Sequence, residues 1–241
     1  FPGSNCASDM ELFFSSKGDE CFYIWHKETN INKYYFDLLI LPGGFTFGDR
    51  SYTKATSVYE MDPGAMAINS PVCNIIKEAH NRKIPIIGVC NGFQILTKLN
   101  LLPGQLVRNI SNKFICKKTE CKIQLNNHKN KIINIDVANE YGRYCINHKE
   151  YEQIINNDQI IMTYDKEDYI LENGANYNIA RVSNKDKNIF GMMPHFERNM
   201  TETNILYNIL IKFIKKSNIM QNSIESLMFS EHISYKSTKK Y

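Results

Sequence analysis

Residues 84–104 read IPIIGVCNGFQILTKLNLLPG, an apolar run that turns at once into a helical pattern. Ile84 to Val89 is apolar, β-branched and too short for a typical helix, so it reads as a buried strand. The chain breaks at Gly88-Val89-Cys90-Asn91-Gly92 and resumes with Phe93, Leu96 and Leu99 at helical spacing. It stops at Pro103-Gly104. A strand that turns at once into a helix, with glycines around one nucleophilic residue, is a nucleophile elbow. Gly88 and Gly92 leave room for a turn that a β-carbon would crowd. Cys90 then stands at the turn apex, where unpaired amides and the helix dipole favour a negatively charged sulfur. A cysteine inside a cell is more often a small buried hydrophobe; the strand–turn–helix setting sets this one apart.

Outward from the elbow, two further stretches carry chemistry. LPGGFTFGD (41–49) ends an apolar strand in two glycines, which lets backbone amides point at a ligand without side-chain obstruction. Taken alone it is a plain tight turn. FGMMPHFER (190–198) delivers His195 from an apolar strand end, with Glu197 two residues on. In an extended segment that spacing puts both side chains on one face. A carboxylate beside an imidazole orients it, fixes its tautomer and stabilises its charged form. By itself the pair reads as a surface ion pair; with the elbow it becomes a base and its orienter.

The remaining chain supports one α/β unit. Helices are expected over 5–16, 64–82, with a Ser70-Pro71 start, and 201–217, where Ile205, Leu206, Ile209, Leu210, Phe213 and Ile214 form a stripe. Strands are expected at 21–25, 35–41, 105–110, 114–116, 121–125 and 159–164. Strands mostly separated by helices predict a doubly wound, mostly parallel sheet flanked by helices. RSYTKATSVYEMDP (50–63) reads either as a lid or partner-facing loop or as an ordinary surface insertion. Residues 1–217 make the domain; 218–241 form a polar tail, a short helix and a disordered end.

Composition sets bounds. The 241 residues are 43% hydrophobic and 22% charged, an ordinary globular mixture. A net charge of +4 is too small to argue for nucleic acid. Seven cysteines in a chain of this size do not read as a disulfide framework, and no zinc spacing is present. No apolar run approaches membrane-spanning length and no signal peptide is visible, so a cytoplasmic location without membrane contact is expected. No phosphate-binding glycine loop is present, so ATP chemistry is not expected on this chain.

GVCNGFQIL followed by LLPG resembles the nucleophile motif of the class I (triad) glutamine amidotransferases, which have a flavodoxin-like α/β fold. Within them the motif, with FTFGD, is most similar to the glutaminase subunits of phosphoribosylformylglycinamidine synthases. The resemblance runs over most of 1–217, least clearly at 50–63 and 117–140. It implies a Cys90–His195–Glu197 triad that hydrolyses glutamine, with the amides of Gly44 and Asn91 as the oxyanion hole. Gln94, Gly142, Arg143 and Tyr144 match the glutamine-contacting positions, and no metal is implied for the step. RNISNKFICK (108–117) and Asn173-Gly174 match two further family stretches. The resemblance also implies partners: a large synthetase subunit that uses ATP and magnesium, and a small bridging subunit. The chain departs from the family where Asn139 and Glu140 stand without the family histidine, and where Phe196 replaces a proline, which should loosen the backbone there. The family starts with a strand ahead of FPGSNC, so the first strand is expected to be truncated. A glutaminase of another synthetase, a hydrolase of γ-glutamyl compounds, and a degenerate regulatory subunit remain as rivals.

Overall fold

The computed structural model describes residues 1–46, 64, 66–124, 130–199, 203–212 and 214. The 50–63 stretch and the 218–241 tail lie outside them. The strands are β1 (Leu39–Leu41), β2 (Ile86–Val89), β3 (Gln105–Val107), β4 (Ile115–Ile123), β5 (Lys131–Asn139), β6 (Arg143–Cys145), β7 (Ile160–Tyr164), β8 (Ile179–Ser183) and β9 (Ile189–Met192). The helices are α1 (Ala7–Ser15), α2 (Cys73–Asn81), α3 (Asn91–Lys98), α4 (His148–Asn156) and α5 (Glu167–Asn173), and residues 204–212 are also helical. No helix among the described residues is long and apolar enough to cross a membrane.

Seven strands form one sheet in the order β1-β2-β9-β8-β7-β4-β5, and β3 pairs with β6 apart from it. The expected α/β sheet with flanking helices is present. Its strands are less parallel than expected: β1, β2 and β9 run parallel, while the other four pairings are antiparallel. The reason lies in the connections. Parallel neighbours need a crossover, as β1 and β2 have with α2 between them, whereas the short 184–188 link returns β9 antiparallel to β8. The three parallel strands are in register at Leu41↔Gly88 and Val89↔Met192, so their carboxyl ends lie together. These ends carry the Pro-Gly-Gly, Cys90 and Pro-His stretches, at the edge where open α/β sheets place ligands.

The antiparallel half curls back over that edge. β5 is last in hydrogen-bonding order, yet Asp136 on it bridges to His195, which follows β9. β4 and β5 bury alternate residues, among them Ile133, Ile135 and Val137, so one face meets the core and the other water. No strand was expected at 131–139, although Ile133-Asn134-Ile135-Asp136-Val137 alternates.

Other boundaries also differ. Residues 115–116 and 121–123 belong to the single strand β4, residues 114 and 124 flank it, and 125 lies outside the described residues. Residues 21–25 form no strand: Phe22, Tyr23 and Trp25 are exposed, and Phe22 stacks on Tyr34 instead of joining the sheet. Of 35–41 only Leu39–Leu41 pairs, and Tyr35 is fully open to solvent. The helix expected at 64–82 splits into a 3-10 turn at Ala67–Asn69 and α2, because Ser70 is extended ahead of Pro71. In α1, Met10, Phe13 and Phe14 face inward at helical spacing. Leu206, Leu210 and Ile214 do the same further on.

The glycine after the elbow packs against backbone. α3 lies across β1, β2 and β9, and a β-carbon on Gly92 would sit 1.9 Å from the Leu41 carbonyl oxygen. That neighbour is backbone of a paired strand and cannot turn aside. Gly92→Ala should therefore destabilise the fold by about 1–3 kcal/mol. Thermal unfolding should show the midpoint falling by roughly 2–12 °C. An unchanged midpoint would mean that α3 slides freely over β1.

Candidate active site

The elbow has the strain that its sequence implies. Cys90 takes φ 53°, ψ −108°, a conformation that costs a non-glycine residue about 1–3 kcal/mol. The turn is held on both sides: Cys90 N–H donates to the Met192 carbonyl at 2.8 Å, and the Cys90 carbonyl accepts from Phe93 and Gln94 N–H. Its Sγ faces the Ala138 carbonyl at 3.7 Å. The residue is almost entirely buried, at the N-terminal end of α3.

His195 and Glu197 come together as expected, by a different local geometry. His195 is extended, but Phe196–Arg198 forms a 3-10 turn. That turn brings Glu197 Oε1 to 2.7 Å from His195 Nδ1, with both side chains buried. Nδ1 therefore carries the proton shared with the carboxylate. Burial works against the imidazolium. The charge of Cys90, the Cys6 and Cys90 thiols and the Glu197 carboxylate outweigh it, and His195 stands well above its ordinary pKa. The segment is anchored by His195 N–H donating to the Asp136 carbonyl at 2.8 Å. Phe196, expected to leave a looser backbone than proline, is buried edge-to-face against Phe13, 5.0 Å between centroids, and the Thr203 hydroxyl donates to its carbonyl. Packing thus supplies the rigidity that a ring would have given.

The Pro-Gly-Gly loop closes the third side. A β-carbon on Gly43 would stand 2.7 Å from His195 Cε1 and 3.3 Å from Cys90 Cβ, so only glycine lets the loop lie against both. Gly44 follows at φ +146°. Asn91 ties the loop to the nucleophile helix. Its Oδ1 accepts from Thr46 N–H at 3.2 Å, and its Nδ2 donates to Gln94 Oε1 at 2.8 Å.

Gln94 continues the relay, its Nε2 donating to the Tyr141 carbonyl at 2.7 Å. It thereby fixes the backbone at Tyr141. The other expected contacts separate. Gly142 is buried and its N–H donates to Asn109 Oδ1 at 3.2 Å. Arg143 lines a surface depression with Lys98, Arg108 and Tyr141. The Tyr144 side chain turns into the core, stacked on Phe93 with its hydroxyl on the Pro103 carbonyl at 2.9 Å. Only its backbone is left to face a ligand.

Two residues of this region were not singled out in the sequence. Asn109 is a buried hub: Oδ1 also accepts from Asn173 Nδ2, and Nδ2 donates to the Asn139 carbonyl. Its neighbour Arg108, in a stretch marked by resemblance, pairs instead with Glu140. Cys6 lies beside His195, within 3.3 Å of where a Gly43 β-carbon would be. Nothing in FPGSNC announces that proximity.

Residues 1–235 match the CobB/CobQ-like glutamine amidotransferase domain. The chain belongs to the class I glutamine amidotransferases. Among solved structures, this amidotransferase is similar to a chain of PurLQS from Thermotoga maritima, at 30% identity and TM-score 0.72, over 89% of this chain and 95% of that one. It also shares its fold with a GMP synthase subunit from Thermoplasma acidophilum, at 12% identity and TM-score 0.59, over 89% and 90% of the two chains. The glutaminase domain of a Trypanosoma brucei CTPS, with bound acivicin, is alike at 12% identity and TM-score 0.53, over 88% and 87%. The last two show the fold alone.

Proposed function

We propose that this amidotransferase is the glutaminase subunit of a phosphoribosylformylglycinamidine synthase. One observation carries the assignment to that synthase: the 30% identity to PurLQS over nearly the whole of both chains. The geometry around Cys90 supports the chemistry. Cys90 attacks the side-chain amide carbon of glutamine. His195 Nε2 takes up the thiol proton and returns it to the departing ammonia, held in orientation by Glu197. Amides of Gly44 and Asn91 receive the charge that develops on the oxygen. Water then cleaves the γ-glutamyl thioester to give glutamate. Gln94 shapes this pocket through the backbone at 141–142, and Arg143 stands at its approach.

The ammonia passes to a large synthetase subunit that uses ATP and magnesium, with a small subunit bridging the two. This chain binds no cofactor for its own step, and it works in the cytoplasm. The test combines the purified chain with that synthetase, formylglycinamide ribonucleotide, ATP and Mg²⁺, and measures glutamate and amidine product together. Both should form in equal amounts from glutamine. Glutamate without amidine would assign the chain to another synthetase. Amidine formed only from added ammonium salt would make it a regulatory subunit.

A further inference from the structure

Beside the end of α3 lies an open depression of about 510 Å³, a size within the range of small-molecule sites. Lys98, Arg108 and Arg143 stand around it, and Leu106, Val107 and Ile110 supply apolar surface. No acidic side chain is among the described residues that line it. Glu140 offsets the Arg108 charge at 2.6 Å. Arg143 has no such partner. Its side chain is partly buried, and its Nε is shut off from solvent without a hydrogen bond. Among the described residues it forms no ion pair. A cation that has lost part of its water and gained no counter-charge is costly to hold, and an anion in the depression recovers that cost.

We infer that this depression binds a phosphate group, held by Arg143 and Lys98. A guanidinium presents paired donors that match phosphate oxygens, and an ammonium adds a point charge. Free phosphate and a phosphate ester share this chemistry; the apolar residues beside the cations favour the ester. The site is not that of the reacting amide. Lys98 stands eight residues beyond Cys90, about 12 Å along α3. The carboxylate carbon of glutamine is only four single bonds of about 1.5 Å from the carbon that Cys90 attacks. Neither Cys90 nor Gln94 lines the depression.

The consequence follows from what the phosphate joins. Gln94 and Lys98 are one turn apart on the same side of α3, and Gln94 Nε2 already holds the Tyr141 carbonyl. A phosphate between Lys98 and Arg143 adds a second tie from α3 to the start of β6. Resemblance implies that Gly142 to Tyr144 contact glutamine, so fixing this segment should tighten glutamine binding. That coupling rests on the proposed glutaminase function; the binding of the phosphate does not.

The experiment titrates the full chain by calorimetry, in phosphate-free buffer of low ionic strength, with inorganic phosphate, adenosine 5′-monophosphate, adenosine and acetate. Phosphate and the nucleotide should compete for one site, and adenosine and acetate should bind far more weakly. A nucleotide that binds tighter than phosphate assigns an ester as the ligand; equal affinity assigns free phosphate. Lys98→Gln and Arg143→Met should each weaken phosphate binding by about 10-fold or more, the usual loss for a charged hydrogen bond. Lys185→Gln, which removes one charge at the exposed turn before β9, should leave it unchanged. Saturating glutamate should not displace the phosphate. In glutamate release, phosphate should lower the KM for glutamine in the parent and not in Lys98→Gln, each protein being compared with itself. Acetate that binds as tightly, displacement by glutamate, or an equal loss in Lys185→Gln overturns the inference. A KM that phosphate leaves unchanged in an active parent overturns the coupling. Arg143-dependent phosphate binding in a chain that never releases glutamate would keep the anion site and remove the glutaminase reading.

Discussion

Cys90→Ser should cut glutamine-dependent synthesis by about 10⁴-fold or more, while synthesis from ammonium salt by the assembled complex stays intact. The serine keeps the volume and the strained turn, so Cys90 N–H can still bond the Met192 carbonyl and α3 can still start at Asn91. What goes is the sulfur. A hydroxyl at that position gives up its proton far less readily, and the imidazole that raises a thiolate cannot make an alkoxide at the same cost. The acceptor chemistry belongs to another chain in the proposed complex, so externally supplied ammonia bypasses the lesion. Measuring amidine product with glutamine and with ammonium salt, side by side, separates the two. Equal loss in both assays would make Cys90 a structural residue of the interface.

How much of this site could be read beforehand depended on how local each feature is. The elbow is written in a few consecutive residues: β-branched strand, Gly88, Cys90, Gly92, then helical spacing. The Pro-Gly-Gly loop and the His195–Glu197 pair are local too, though the 3-10 turn at Phe196–Arg198 delivers Glu197 where an extended strand was expected. What brings the three stretches together is the alignment of β1, β2 and β9 at their carboxyl ends. Alternating strands and helices implied such a sheet without stating its order.

The misses share a cause. β5 was passed over because polar residues interrupt its isoleucines, which is what a strand with one wet face requires. Cys21 to Trp25 reads as a strand by β-propensity, yet aromatic side chains can satisfy one another in a loop, as Phe22 does on Tyr34. Tyr144 is expected as a ligand contact by resemblance, but successive residues in a strand point to opposite faces, and its side chain turns onto Phe93. Cys6 and Asn109 owe their importance to partners far along the chain, Gly43 and His195 for one, Gly142 and Asn173 for the other. No local pattern encodes such meetings.

The second large effect concerns the proton. His195→Ala should lower glutamate release by about 10²- to 10⁴-fold, the range for a positioned general acid–base group. Glu197→Gln should lose less, because the amide still occupies the site 2.7 Å from Nδ1 although it no longer stabilises the charged ring. The two also differ in pH dependence. Burial opposes the imidazolium, but the Cys90 charge, the contacts with Cys6 and Cys90 and the Glu197 carboxylate raise the His195 pKa well above 6.5. A raised pKa keeps the proton on the ring as pH climbs past that ordinary value. Ammonia leaves with that proton, so activity should hold beyond the range of a free imidazole and fall only as pH passes the raised pKa. The same shift contributes stability that is fully present below the unfolded value of about 6.5 and is lost as pH rises through the folded one. Glu197→Gln removes one of the groups that raise it, so its alkaline limb should move to lower pH. The profile of kcat/KM against pH for the two proteins reads this directly. A limb that stays in place, or a Glu197→Gln enzyme slower than His195→Ala, would show that the carboxylate does not act through the imidazole.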